Sequence, residues 1–133
     1  MIILILSIAV TFAMQERVLK ELDSDWDKIN ADPEIRQAVA NITSRMRSSM
    51  NQALEALKKG SAEEFFDNLF ESSEEIVRMS TLIRDPKLDE NVFLVLVKTV
   101  SRLGRNNSAL IQDFTDRCSF VVRSPRPRSL TSD

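Results

Sequence analysis

Two regimes of hydrophobic patterning divide this chain. Residues 1–14, MIILILSIAVTFAM, are apolar at every position except Ser7 and Thr11. From Gln15 onward, apolar residues recur at helical intervals with polar residues between them. Val18, Leu22, Trp26 and Ile29 follow at spacings of four, four and three, which predicts an amphipathic helix from Gln15 to about Ile29. Asp32-Pro33-Glu34 then reads as an N-cap, a proline at the first helical position and a first-turn acid. The second helix runs from Pro33 to about Lys59 on the stripe Ile35, Val39, Ile42, Met46, Met50, Leu54 and Leu57, with Gly60 as its stop.

Ser61-Ala62-Glu63-Glu64 fits a capping box, so a third helix follows at once and pairs with the second as a hairpin. It carries Phe65, Phe66, Leu69, Phe70, Ile76, Val77 and Ile83 before Asp85-Pro86 ends it. Asp89 caps a fourth helix, Glu90 to Leu103, closed by Gly104. Its β-branched run Val92–Val97 suits a strand on propensity alone. Phe93, Leu96, Val97, Val100 and Leu103 nevertheless share one helical face, and Lys98, Ser101, Arg102 and Arg105 share another. The pattern predicts a helix buried on most sides near its start, at the centre of the bundle. Asn107 or Ser108 caps a fifth helix with Leu110, Ile111, Phe114, Cys118 and Val121. The expected fold is all-α: a compact bundle of about five helices over residues 15–122.

The apolar opening has the length of a secretory h-region and is too short to span a membrane. Ala13, with Thr11 two residues before it, permits cleavage, so residues 1–13 read as a signal peptide and the protein as secreted. No Lys or Arg precedes the run. In the alternative reading, residues 2–13 form a buried helix of an intracellular adaptor or subunit. At the other end, residues 123–133 hold three arginines, two prolines and a single Leu, and read as a disordered basic tail. Such a tail suits an acidic surface or a polyproline-reading domain.

Composition narrows the chemistry. With 18 basic and 20 acidic residues the formal charge is −2, without the basic excess that a nucleic-acid binder held by bulk electrostatics needs. There is no His and no Tyr, which removes imidazole-based triads, His-ligated zinc and imidazole general bases. Only two Gly occur, and no glycine-rich phosphate loop is present. Cys118 stands alone, so no intrachain disulfide forms, and its place on an apolar stripe reads as a buried thiol. Sequons occur at Asn41 and Asn106.

Asp23, Asp25, Asp27 and Glu34 fall at positions one, three, five and twelve of a segment that resembles the calcium loop of EF-hand proteins. That resemblance implies oxygen ligation of calcium by these four carboxylates. Lys28 stands where the family has its turn glycine, Asn30 replaces the usual apolar residue and Pro33 precedes the last ligand. The stripe through Trp26 and Ile29 instead carries a helix into the same segment. Glu63, Glu64, Glu71, Glu74 and Glu75 read as a solvated face opposite the phenylalanines. Phe65, Phe66, Phe70, Phe93 and Phe114, with five Met, read as core or as the lining of an apolar pocket. No catalytic, cofactor or metal residue is assigned. The expected function is that of a small secreted helical-bundle protein without catalysis, binding a protein partner or an apolar ligand, with no nucleic acid and no stable membrane span.

Overall fold

In the computed structural model, the backbone is described for residues 2–123 and the side chains for 5–113, 115 and 116. Four helices follow in chain order: α1 (Ile2–Trp26), α2 (Pro33–Lys59), α3 (Ala62–Leu82) and α4 (Glu90–Arg123). There is no strand among the described residues, and Val92–Val97 lie within α4. Each helix packs on two neighbours: α1 on α2 and α4, α3 on α2 and α4, with no close approach across either diagonal among the described residues. Hydrogen bonds fix the antiparallel directions. Ser7 reaches Asp113 and Glu21 meets Arg102 between α1 and α4, while Ser49 reaches Glu71 and Arg45 meets Glu75 between α2 and α3. The result is an up-down-up-down four-helix bundle.

Local signals set most of the boundaries. Asp32 Oδ1 accepts the Glu34 N–H at 3.0 Å, and Pro33 opens α2. Gly60 ends it at φ +80°, with the Gly60 N–H on the Leu57 carbonyl and the Ser61 N–H on the Ala56 carbonyl. That is a Schellman closure, and it needs a left-handed residue. Ser61 then caps α3 by accepting the Glu64 N–H at 3.3 Å. Two residues therefore turn the chain between helices. Buried Ala53 and Ala56 near the hairpin leave α3 room to approach α2 closely. Asp85 and Asp89 accept the Lys87 and Asn91 N–H groups in the α3–α4 connection.

The fourth and fifth helices expected from the sequence are one. Gly104 stays right-handed within α4, since Gly60 alone among the described residues has positive φ. Asn107 does not cap a helix; its side chain turns inward and donates to Ser73 Oγ on α3 at 2.5 Å. Counting buried polar residues, the stripe Val92, Leu96, Thr99, Leu103, Asn107, Leu110 passes through the supposed break without a phase change. Nor is the start of α4 the centre of the bundle. Val92 and Leu96 are buried, but Phe93 and Leu94 are exposed, because a helix with two neighbours buries one stripe only.

The same geometry corrects the third stripe. Phe65, Leu69, Ile76 and Met79 are buried, whereas Phe66 is half-buried and Phe70 and Val77 are exposed. At the N-terminus, residues 2–13 continue into the amphipathic segment as one helix. Ile8, Phe12, Gln15, Leu19, Leu22 and Trp26 form a buried stripe at spacings of four, three, four, three and four. The apolar opening thus shares its phase with the rest of α1. Residues 124–133, most of the expected tail, and the side chains of Phe114, Cys118 and Val121 lie outside the described residues.

Candidate functional surface

Three surface regions hold the polar chemistry of the bundle. Between α2 and α3, a groove of about 310 Å³ is lined by Arg45, Ser48, Ser49, Gln52, Glu71, Glu74, Glu75 and Arg78. Glu75 is buried there, which the sequence reading of a uniformly solvated acidic face did not anticipate. Arg45 Nε donates to it at 3.0 Å, Arg78 donates to its other oxygen, and Arg78 also lies 3.6 Å from Glu74. A carboxylate buried on a helix interface needs this pairing, since an uncompensated charge there would be strongly destabilising. Both oxygens of Glu75 are committed to guanidinium groups, so the groove offers an ion-pair network rather than a free base. Glu63, Glu64, Glu71 and Glu74 are exposed as expected.

At the α1–α2 corner, Arg36 closes the connection. Its Nη2 donates to the Trp26 carbonyl at 2.9 Å and the Ile29 carbonyl at 2.6 Å, and its guanidinium lies 5.5 Å from the Trp26 ring centroid. The last carbonyl of α1 and one in the connection after it are thereby satisfied by a side chain from the next helix. Further along, Arg47 bonds Glu16 at 3.0 Å and Asp23 at 3.3 Å, and the Glu16 carboxylate raises the already high Arg47 pKa. The EF-hand-like acids are dispersed by this arrangement. Asp23 and Asp25 sit on α1, Asp27 in the turn, and Glu34 in the first turn of α2. Among the described residues, no group of three or more acids or thiols is gathered as a metal site.

The third region is the α1–α4 side. Gln15 is almost fully buried; its Nε2 donates to the Leu103 carbonyl at 3.1 Å, and its Oε1 accepts from Asn106 at 3.0 Å. Asn107 and Ser73 extend this polar belt to α3. The Asn106 sequon amide is thus engaged, whereas Asn41 is exposed and accepts from Gln37. Outside the belt, Arg102 donates to Glu21, which holds the Glu21 carboxyl below its ordinary range against the opposing effect of desolvation. Lys98 and Arg17 add to that pull, so three cations converge on one acid. A groove of about 190 Å³ runs beside them, lined by Met14, Arg17, Val18, Arg102, Arg105 and Asn106.

Above this groove the outward face of α1 is apolar. Leu6 and Val10 are each 59% exposed, Met14 is 44% exposed, and Ala9 and Ala13 are exposed alongside. The opening run offers apolar side chains all round, and the bundle covers the Ile8 and Phe12 side and leaves the Leu6 and Val10 side open. No helix is long and apolar enough to cross a membrane among the described residues. In comparisons with known proteins, no family model, curated protein or solved structure matches this chain.

Proposed function

We propose that this chain is a non-catalytic binding protein that works through the outward face of α1, with residues 2–13 retained as half of that helix. The observation that carries this reading is the split character of the segment. Ile8 and Phe12 are buried in phase with the bundle core, while Leu6, Val10 and Met14 face outward without a partner among the described residues. Burial of a side chain such as Ile8 or Phe12 is worth about 1.5–3 kcal/mol, so losing the segment removes a sizeable share of a small bundle's stability. A contiguous apolar stripe on a small protein is a binding surface for a partner that covers it.

The test uses a neutral solvatochromic dye such as Nile red with the full chain. Leu6→Ser/Val10→Ser is expected to reduce the dye signal by more than half without lowering the thermal midpoint. An unchanged signal overturns the reading.

Export is the second reading, favoured by the all-round apolarity of residues 1–14. In it, cleavage after Ala13 yields an extracellular chain starting at Met14, and binding falls to the remaining surface. Mass spectrometry of the chain from its native source separates the two: an N-terminus at Met14 supports export, and one at Met1 or Ile2 supports retention.

A further inference from the structure

Leu6, Val10, Met14 and Arg17 follow at spacings of four, four and three, so the apolar line on α1 runs straight into a cation. Lys20 lies one turn further on, and Lys98 and Arg105 approach from α4. Arg17, Lys20, Lys98 and Arg105 are exposed, and none of them makes a direct ion pair among the described residues, although Arg17 and Lys98 lie near enough to Glu21 to pull on its carboxylate. Of the acids on the same side, Glu21 and Glu16 are neutralised by arginines, while Asp25, Asp113 and Asp116 keep their charge. Glu21 is held by Arg102, Glu16 faces Arg47, Asp113 accepts from Ser7, and Asp116 accepts from Gln112. A chain with net charge −2 thus places four exposed cations beside the exposed apolar stripe of α1.

We propose that the α1–α4 side docks on an anionic phospholipid surface, with α1 lying in the plane of the interface. Leu6, Val10 and Met14 enter the boundary between headgroups and acyl chains, and Arg17, Lys20, Lys98 and Arg105 meet lipid phosphates. The arrangement is that of an interfacial amphipathic helix, whose affinity combines buried apolar area with attraction to acidic lipids. Among the described residues no helix is long and apolar enough to cross a membrane, so the contact proposed is interfacial. The exposed cations beside the stripe favour an acidic lipid surface over a second copy of the chain, whose matching face carries the same cations and offers them no acidic surface. This inference rests on the reading that the outward face of α1 is the working surface.

The experiment is co-flotation of the full chain with vesicles of phosphatidylcholine alone and with about one-third phosphatidylserine added. Binding is expected only to the acidic vesicles, and it should fall on raising salt to about 0.5 M. Each cation contributes roughly fivefold near such a surface, so Arg17→Gln/Arg105→Gln should weaken binding about 30-fold, with the thermal midpoint unchanged. Leu6→Ser/Val10→Ser should abolish it. Equal binding to both vesicle types, no binding to either, or a stable dimer by sedimentation that the Leu6→Ser/Val10→Ser variant dissolves overturns the proposal. If the dye signal still depends on Leu6 and Val10 while vesicles are ignored, the working surface stands and its lipid partner does not. If neither responds to those substitutions, both readings fail.

Discussion

Gln15 and Leu103 are joined across 88 residues of sequence by one hydrogen bond, from the Gln15 side-chain amide to the Leu103 backbone carbonyl. With the Asn106 contact it fixes the register of α1 on α4: a slip by one turn offers the Gln15 amide another backbone carbonyl but takes its oxygen away from the Asn106 side chain. Gln15→Ala removes the amide and with it the acceptor of Asn106. The expected cost is about 1–2 kcal/mol in urea unfolding, that of two lost hydrogen bonds and a gap at a buried position, since half-buried Asn106 stays within reach of water. A loss under about 0.5 kcal/mol would show that the belt does not hold the register.

Neighbouring leucines on α4 provide a sharper contrast. Leu96 is fully buried and Leu94 is 54% exposed. Leu96→Asp places an unpaired charge in the core and is expected to abolish cooperative unfolding. Leu94→Asp changes a solvent-facing position and should stay within about 0.5 kcal/mol of the parent. Circular dichroism melts of the pair check the placement of α4, and equal behaviour of the two variants would refute it.

The α2–α3 turn makes a prediction about backbone alone. A Cβ added at Gly60 would meet nothing within 4 Å, so no clash enters. The left-handed φ of +80° does. Gly60→Ala should therefore cost about 1–2 kcal/mol, and Gly60→Asn less, since Asn tolerates that region. A neutral Gly60→Ala in denaturant titration would mean that the turn relaxes to another closure.

The Glu21–Arg102 pair predicts a pH dependence. The folded Glu21 carboxyl lies below its ordinary range, chiefly through its bond from Arg102. A depressed carboxylate stabilises the fold above its unfolded pKa of about 4.3, and that contribution disappears as pH falls through the folded value. The stability difference between the parent and Glu21→Gln should be level from about pH 6 to 8 and shrink below about pH 4. High salt should narrow it at every pH, because the pair is solvent-facing. A difference that grows on acidification contradicts the assignment.

How far the chain can be read without its structure depends on the residue. Asp32-Pro33, Gly60-Ser61 and Asp89 announce helix ends through groups that act within a few residues of themselves. Asn107 carries the same local signal as Asp89 and is misleading, because Ser73 on another helix takes its side chain. Glu75 belongs by composition to a solvated acidic face, yet Arg45, thirty residues earlier, draws it into the α2–α3 contact. Arg36 gives no sequence signal of its role at the corner, since the carbonyls it satisfies become neighbours only when α2 folds back on α1.

The amino-acid sequence by itself determined that this protein is helical, where three of its four helices begin or end, and that imidazole chemistry is closed to it. These properties follow from spacing, capping and residue type, all of which act over a turn or two. Tertiary structure alone decided which side of the apolar opening is covered, that α4 passes unbroken through Gly104, and that exposed cations of α1 and α4 lie beside the Leu6, Val10 and Met14 stripe. A segment apolar all round has no face until a neighbour buries one. Charges scattered along α1 and α4 form no surface until those helices lie side by side.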